Sequence, residues 1–324
     1  MSNYIDKYLE NSEKEDEEKP IESTLDTVTG EEKTNTQVND KYGNKVVVPS
    51  GFKVINPDVS VLDGIVIEDI SAGDETTKGN QYVWVPIGDI KTDPESSIIQ
   101  IKLGRYTFDE SGAEKLMQSA NDYTNSVVIE NYYEELINSE FGNATAKNLG
   151  EFIAKSQKSG GYYIGRYEAG KVEGNTNTFN IKKGQEVYND ITQPNAANLA
   201  KNLYSSNNNF QSDLINSYAY DTTVVFIQTF SEDKDYSLQN RLQDTLTTTG
   251  NAHDINNIYD LRCNIYDMAG NTREWTTETS ILDQSHCISR GGNYSGERSH
   301  TAGRSNDSND YSNTHISFRS IIYL

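Results

Sequence analysis

The sequence predicts an α+β protein in which irregular sheets pack against two helices and many loops join the elements. Two observations lead to this class. Short β-branched runs broken by turn residues occupy residues 42–86, as expected for strands. Two stretches between residues 193 and 230 instead carry apolar side chains at helical spacing.

The predicted strands come first along the chain. They are separated by Asn-Pro, Asp-Gly and Gly-Asp pairs, which are turn signals. The runs are residues 46–49 (VVVP), 54–55 (VI), 64–67 (GIVI) and 81–86 (QYVWVP).

An insertion at about residues 90–158 reads as a strand pair followed by helical segments. Residues 98–103 are predicted to be extended, and residues 145–156 to be helical with Leu149, Phe152 and Ile153 as apolar positions. Pro194 then opens a helix, consistent with proline in a first turn. A second helix is predicted at residues 214–229.

The N-terminal 40 residues contain 12 acidic and 4 basic side chains, and they are predicted to form a solvated tail. The folded domain is expected at residues 41–324. One apolar cluster in the tail has helical spacing: Tyr4, Ile5, Tyr8 and Leu9. It is interpreted either as a frayed terminus or as a segment that attaches the protein to a partner, a second subunit or a virion.

Charge excludes several partner classes. Asp and Glu total 49 against 28 Lys and Arg, giving a net charge of -21, which opposes binding to nucleic acid and to anionic membranes. The chain has no run of 18 apolar residues, and its N-terminus lacks the pattern of a secretory signal. We therefore expect synthesis in the cytoplasm and no direct membrane insertion.

Cys263 and Cys287 are the two cysteines, and their spacing matches no zinc motif. Free core thiols are the simpler interpretation. Because both lie close to the C-terminal motifs described next, a disulfide between neighbouring strands is the alternative.

Three C-terminal blocks carry the strongest signal. They are residues 264–275 (NIYDMAGNTREW), 288–294 (ISRGGNY) and 316–319 (ISFR). In this order they resemble the formylglycine-generating enzyme family, also called the sulfatase-modifying factor family. The resemblance implies a variant of the C-type lectin fold, and residues 82–87 and 161–170 resemble its opening strands.

The same resemblance argues against the family's catalysis. Members that oxidise a cysteine substrate bind copper through two cysteines after the Arg-Gly-Gly motif, whereas residues 293–304 contain none. Without thiolates a copper(I) site is not expected there. Four histidines, His253, His286, His300 and His315, show no metal-binding spacing and are expected on solvated loops. Neither a Gly-x-Ser-x-Gly elbow nor a P-loop is present.

No cofactor is required by this interpretation, but calcium is a candidate. Carboxylates of Asp267 and Glu274 with backbone carbonyls of Gly270 and Thr272 would offer a hard cation four oxygen ligands. The alternative is that both carboxylates only hydrogen-bond the turn at residues 269–271. Trp275 is predicted to lie in the core.

A binding surface is predicted at residues 293–317. Of these 25 positions, 18 are Asn, Ser, Tyr, His, Asp or Thr, and apolar residues flank the segment. A rigid frame that brackets polar loops is typical of recognition sites, and these residue types are common in binding loops.

This segment resembles the diversified region of the variable proteins of diversity-generating retroelements. Its residue types are those that randomised adenine-containing codons leave, although Glu297 fits poorly. The resemblance implies ligand-facing roles for Tyr294, Ser295, His300, Asn306, Asp307, Ser308, Asp310, Tyr311, Asn313 and His315. An ordinary solvated loop is the alternative.

Three functions follow in order of preference. The first is a non-catalytic display protein, encoded by a phage or mobile element and exposed on a virion or cell surface, that binds a cell-surface protein or glycan. The second is a metal-dependent oxidase of the formylglycine-generating enzyme family that lacks the usual cysteines. The third is a structural virion or surface component.

Overall fold

A computed structural model of the protein describes residues 22–324, except residues 96, 118–132, 136–148, 240–244, 252–259, 281–282, 284 and 296–299. For residues 133–135 only the backbone is described. The apolar cluster predicted at residues 4–9 lies outside the described residues.

The described part of the chain begins with a succession of strands. In order they are β1 (Thr36–Asn39), β2 (Lys45–Val48), β3 (Phe52–Val54), β4 (Val66–Asp69), β5 (Gln81–Pro86), β6 (Gly88–Lys91), β7 (Ile98–Ile101), β8 (Tyr106–Phe108), β9 (Glu114–Leu116) and β10 (Tyr133–Glu135).

Helices and the remaining strands follow. In order they are α1 (Leu149–Ser159), β11 (Gly161–Gly165), β12 (Gly170–Val172), β13 (Asn175–Asn180), α2 (Gln193–Asn202), β14 (Gln211–Leu214), α3 (Ser217–Phe230), β15 (Leu261–Arg262), β16 (Ile265–Tyr266), β17 (Arg273–Ser280), β18 (His286–Arg290), β19 (Arg304–Ser308), β20 (Ile316–Phe318) and β21 (Ser320–Tyr323). The mixture of helices and strands confirms the α+β class.

A six-stranded antiparallel sheet forms the apolar centre of the molecule. Its strand order is β14-β21-β11-β5-β4-β3, so the C-terminal strand β21 lies inside the sheet. Strands β5 and β11 carry the buried aromatic residues Trp84, Tyr162 and Tyr163. Continuous burial on both faces explains why the sequence of β5 is apolar without alternation.

A second sheet of five strands supports the C-terminal motifs. Its order is β10-β17-β18-β19, and β20 pairs in parallel with β17. β17 is eight residues long and lies between its neighbours, whereas β19 is at the edge of the sheet. The edge position leaves β19 paired on one side, with β18.

Helix α3 lies between the two sheets. It contacts β5 of the six-stranded sheet and β17 of the five-stranded sheet. The Tyr162 hydroxyl donates to the Ala219 carbonyl at 2.6 Å, which fixes the helix against β11. Asn216 caps the N-terminus by accepting from the Ala219 amide. Nearly every side chain of α3 is buried, and these include the polar residues Asp221 and Gln228 as well as apolar ones.

The structure contains most of the predicted elements but moves the start of one predicted helix. Pro194 lies in the first turn of α2, as predicted. Leu214 instead ends β14, so the second predicted helix begins at Ser217. None of the helices in the described ranges is long and apolar enough to cross a membrane.

Part of the predicted tail, residues 22–40, is folded. Within residues 22–40, Leu25 and Val38 are fully or almost fully buried, and β1 pairs with β2. Asp40 is also buried, and its carboxylate accepts hydrogen bonds from the backbone amides of Asn44 and Val61. The prediction for residues 22–40 is therefore wrong, because a few apolar side chains and backbone pairing suffice to order an acidic segment.

Candidate functional site

The candidate site is built on the turn between β16 and β17. Asp267 and Asn271 both adopt positive φ angles, 64° and 59°, which side chains other than glycine rarely adopt. Asp260 holds this turn, since its carboxylate accepts from the Ala269 amide at 2.7 Å. Gly291 packs against it at φ 85°, where an added Cβ would lie 2.7 Å from the Met268 carbonyl oxygen.

Glu168 ties the end of the turn to the six-stranded sheet. Its carboxylate accepts from the Asn271 side-chain amide at 2.5 Å, from the Thr272 backbone amide at 3.0 Å and from the Thr272 hydroxyl. Burial raises the pKa of Glu168 well above its usual range, and Asp267 and Glu274 raise it further. Sequence reasoning placed Glu168 in a motif but assigned it no role.

The four residues predicted to bind calcium lie on and beside this turn. Glu274 already faces a cation, because Arg319 donates to its Oε1 through Nε at 2.8 Å and through Nη2 at 2.5 Å. Asp267 accepts from the Gly250 amide at 3.1 Å. Across the described residues, no cluster of three or more His, Cys, Asp and Glu side chains is arranged to hold a metal.

This arrangement does not favour a cation at Asp267, Gly270, Thr272 and Glu274. Arg319 pairs with the Glu274 carboxylate and supplies the positive charge that calcium would bring there. One oxygen, Glu274 Oε2, is buried without a hydrogen-bond partner in the structure. The calcium ion stays a prediction, which a chelator titration of the melting temperature tests.

A buried ion cluster fixes the positions of β18 and β19 against α3. Asp221 of α3 binds Arg290 at 2.5 Å and Arg304 at 2.9 Å. Glu278 of β17 binds Arg304 at 3.0 Å and also pairs with Arg105. The side chains of the four residues on α3 and the sheet, Asp221, Glu278, Arg290 and Arg304, are fully buried.

The two arginines of this cluster stabilise the charged form of Asp221. Burial alone would raise the pKa of Asp221, but the charges of Arg290 and Arg304 outweigh it and lower that pKa. The guanidinium of Arg290 also lies 4.3 Å from the ring centroid of Tyr220. The Arg-Gly-Gly motif is thus anchored through its arginine, a pairing across 69 residues of sequence.

Residues that were predicted to face a ligand lie mainly on β19, on the turn after it and on the segment after Gly292. We call this set the C-terminal surface: Tyr294, Ser295, Asn306, Asp307, Ser308, Asp310, Tyr311, Asn313 and His315. All of them are half-buried or exposed.

Residues 304–308 form a strand, so the interpretation of residues 293–317 as polar loops is wrong for this part of the segment. Arg304 and Arg290 are directly opposite each other, as are Asn306 and Ile288. An edge strand tolerates this polar composition because part of it faces water, while backbone pairing with β18 satisfies the other side.

Tyr294, Ser295 and His315 form one group on the C-terminal surface. The rings of Tyr294 and His315 meet edge to face, with centroids 4.8 Å apart. Burial and then the charge of Arg273 lower the pKa of His315, which favours the neutral imidazole. The Tyr294 amide donates to the Asn271 carbonyl at 2.8 Å, so the group rests directly on the buried turn.

The turn after β19 forms a second group. The Ser308 hydroxyl donates to Asp310 at 2.5 Å, and the Asn313 amide donates to the Tyr311 hydroxyl at 2.8 Å. Tyr311 is 38% exposed, which makes it one of the exposed large side chains of the described residues. An ordered turn that presents an exposed tyrosine is suited to contact with a ligand.

Arg273 joins the first group to β19, a role that sequence reasoning missed. Its backbone amide donates to the His315 carbonyl at 2.9 Å, and its guanidinium donates to the Ser305 hydroxyl at 2.6 Å. Asp307 lies in the same region; burial raises its pKa, while Arg273 and then His286 oppose the increase. In β17, Arg273 points outward and Glu274 inward, and this alternation is the sequence signal that could have indicated the role of Arg273.

The histidines differ from the expectation of solvated loop residues. His286 lies on β18 and contacts Asp283 at 3.0 Å. His300 lies apart from the C-terminal surface, with its Nδ1 2.6 Å from the Leu238 carbonyl oxygen. His253 lies outside the described residues.

Both cysteines are free, so the disulfide alternative is not formed. Burial raises the pKa of each thiol to about 12, with Asp63 also raising that of Cys263. Neither therefore offers a thiolate near neutral pH. The interpretation as free core thiols fits Cys287, which is buried, better than Cys263, which is partly exposed.

The fold and the site together define an α+β scaffold that presents a polar surface from an edge strand and its turn. No protein-family model and no curated protein matches the sequence. The chain is similar to several solved structures.

These solved structures include CarF, with 12% identity, a TM-score of 0.31, and coverage of 42% of this chain and 67% of that one. They also include PvdO from Pseudomonas aeruginosa, with 12% identity, a TM-score of 0.38, and coverage of 76% and 95%. A third is Treponema denticola variable protein 1, with 11% identity, a TM-score of 0.30, and coverage of 77% and 98%.

Proposed function

We propose that this protein is a non-catalytic recognition protein that binds a cell-surface protein or glycan through the C-terminal surface. The proposal rests on one contrast: the start of β19 is held by buried ion pairs, whereas side chains of β19 and of the turn after it are polar and exposed. Arg304 at the start of β19 is buried in the ion cluster, whereas Asn306, Asp310 and Tyr311 are exposed. Polar contacts held on a rigid frame lose less conformational entropy on binding.

The motifs support a more specific assignment within this proposal. We assign the scaffold to the C-type lectin-like fold of the formylglycine-generating enzyme type, and the protein to the variable proteins of diversity-generating retroelements. Genomic DNA tests the second assignment: a near-copy of the coding repeat that differs at adenines, beside a reverse transcriptase gene, is the expected finding. An isolated gene with no such repeat would contradict it.

Binding to cells is the direct test of recognition. Labelled full-length protein would be incubated with a panel of intact bacterial and mammalian cells and measured by flow cytometry. We expect replacement of Tyr294, Tyr311 and His315 by Ala to abolish binding while the melting temperature is preserved. Tyr42→Ala removes a tyrosine outside the C-terminal surface and serves as the control.

Two outcomes would overturn the proposal. Loss of the fold in the triple variant would make the three residues structural. Absence of binding to every cell type by the unaltered protein would favour a structural virion or surface component.

An oxidase is the rival function, and it has its own measurement. Oxygen consumption with cysteine-containing peptides, together with metal analysis of the purified protein, separates it from recognition. The high pKa of both thiols and the engagement of Glu274 by Arg319 support the non-catalytic assignment.

A further inference from the structure

A cleft with a volume of about 670 Å³ adjoins the C-terminal surface. It lies between β13, residues 188–192 and the first turns of α2. Two hydrogen bonds connect it to the C-terminal surface: the Asn189 side-chain amide donates to the Thr314 carbonyl at 2.8 Å, and the Asp190 amide donates to the Asn313 carbonyl at 3.1 Å. Its volume is within the range of pockets that hold small ligands.

Asparagine side chains from two elements line this cleft. Asn177 comes from β13, and Asn195 and Asn198 come from α2, where a spacing of three residues places them on one face of the helix. All three are exposed. Among the described residues, their side-chain amides take part in no hydrogen bond, so their donors and acceptors are free for a ligand.

The wall around these amides is rigid. Gln193 is buried, and its amide donates to the Thr276 carbonyl at 3.0 Å, which anchors the start of α2 to the five-stranded sheet. Asp190 has a φ of 56°, a conformation that carries strain for a residue with a side chain. Strained residues are often found at binding sites, where the surrounding structure holds them in place.

An aromatic ring contributes an apolar surface to the cleft. Tyr188 is half-buried, and its hydroxyl donates to the Thr176 carbonyl at 2.8 Å. Its ring meets Phe318 edge to face at 5.8 Å between centroids. These two contacts fix the orientation of the ring, which is amphipathic and suited to the C–H face of a bound molecule.

The charge of the cleft selects against anions. Its one lysine, Lys171, pairs with Glu186 at 2.5 Å, and Asp190 adds a negative charge. The whole chain carries a net charge of -21. Carboxylate or phosphate ligands would therefore meet repulsion and no uncommitted cation among the lining residues.

We propose that this cleft binds a neutral sugar residue of a glycan. Side-chain amides both donate and accept, which matches neighbouring hydroxyl groups of a sugar, and the Tyr188 ring packs against the sugar's apolar face. This inference rests on the proposed function, because it names the class of ligand recognised next to the C-terminal surface.

Saturation-transfer NMR on the full-length protein tests the inference. The probes are the methyl glycosides of glucose, galactose, mannose and N-acetylglucosamine, with N-acetylneuraminic acid as the anionic comparison. We expect at least one neutral glycoside to bind and the acid to bind more weakly. The double variant N195A/N198A should weaken binding of the neutral glycoside by about tenfold with an unchanged melting temperature.

Two controls define the cleft. Asn202→Ala removes an exposed asparagine from the end of the same helix, outside the cleft, and should leave binding unchanged. Tyr188→Phe keeps the ring and should retain most of the affinity, whereas Tyr188→Ala should not. No binding by any neutral glycoside, tighter binding of the acid, or equal binding by the N195A/N198A variant would overturn the inference.

The two proposals fail separately. If the triple variant at Tyr294, Tyr311 and His315 loses cell binding but the unaltered protein binds no neutral glycoside, the proposed function stands and the sugar site is refuted. If the unaltered protein binds the glycoside in the cleft and the triple variant still binds cells, the assigned surface is refuted and the sugar site stands.

Discussion

The two large sheets of this molecule are stabilised by different means. In the six-stranded sheet, buried aromatic and aliphatic side chains meet, as Trp84 and Tyr163 do with ring centroids 4.9 Å apart. In the five-stranded sheet, β17 buries a run of polar residues, Thr276, Thr277, Glu278, Thr279 and Ser280. The C-terminal surface belongs to the second sheet.

The two kinds of contact have different effects: one mainly stabilises the fold, and the other mainly fixes where the strands lie. Burial of apolar surface is strong but non-directional, so it stabilises a fold without fixing one geometry. Hydrogen bonds and buried ion pairs demand exact placement, and a buried charge that loses its partner is costly. The sheet that supports the C-terminal surface therefore has its strands fixed by directional contacts.

The largest expected effect comes from breaking the ion cluster. Arg290→Ala leaves Asp221 buried next to Arg304 alone, and we expect it to lower the free energy of unfolding by about 3–5 kcal/mol. Denaturant unfolding followed by circular dichroism measures it. The control is Lys171→Ala, because Lys171 and Glu186 form a pair whose side chains are 36% and 71% exposed, and such pairs contribute at most about 1 kcal/mol. Equal effects of the two variants would contradict the contrast.

The next effect comes from the apolar sheet. Ile322 is fully buried on β21, and Ile322→Ala should cost about 2–5 kcal/mol through lost burial and a cavity. Ile98 is 57% exposed on β7, so Ile98→Ala should change the free energy of unfolding by less than about 0.5 kcal/mol. The cost of Ile322→Ala should not vary with pH; a cost that does vary would show that ionisable groups also stabilise this sheet.

The five-stranded sheet should, in contrast, respond to pH through Glu168, which lies outside the sheet and accepts from the Thr272 amide just before β17. Its raised pKa means that the folded protein keeps a proton that the unfolded chain releases above its usual pKa near 4.5. Stability is therefore lost as pH rises from about 4.5 to the folded-state pKa, by at most about 1.4 kcal/mol per pH unit. Unfolding measured from pH 4.5 to 8 should show this slope, and Glu168→Gln should reduce it. An unchanged slope in the variant would assign it to another group.

The smallest effect is expected on the C-terminal surface itself. Tyr311 is 38% exposed and contacts Asn313, a residue of the same turn, so Tyr311→Ala should change the free energy of unfolding by less than about 0.5 kcal/mol. Differential scanning fluorimetry of the variant measures this change. A large loss of stability would mean that the turn contributes to the fold.

Much of the frame could be predicted from sequence because its residues are locally distinctive. The continuous apolar run of β5, proline in the first turn of α2, and the burial of Trp275 all follow from residue type and spacing. β19 could not be predicted in this way. Its residues, Arg-Ser-Asn-Asp-Ser, show no apolar alternation, and they form a strand because β18 is adjacent.

The site was harder to predict for a related reason. Asp221 and Arg290 are 69 residues apart, and no local pattern indicates that the two pair. Tyr294 and His315 were each predicted to face a ligand, but their contact depends on how β20 pairs with β17. His300 lies apart because residues 301 and 302 bond to the backbone of residues 237–239, which turns its ring towards Leu238.

The position of Arg304 has a consequence for engineering. Its side chain holds the first residue of β19 through Asp221 and Glu278, upstream of every residue of the turn. A combinatorial library could therefore randomise residues 306, 310, 311 and 313 and still start from the same backbone. We expect such a library to yield affinity reagents with similar melting temperatures.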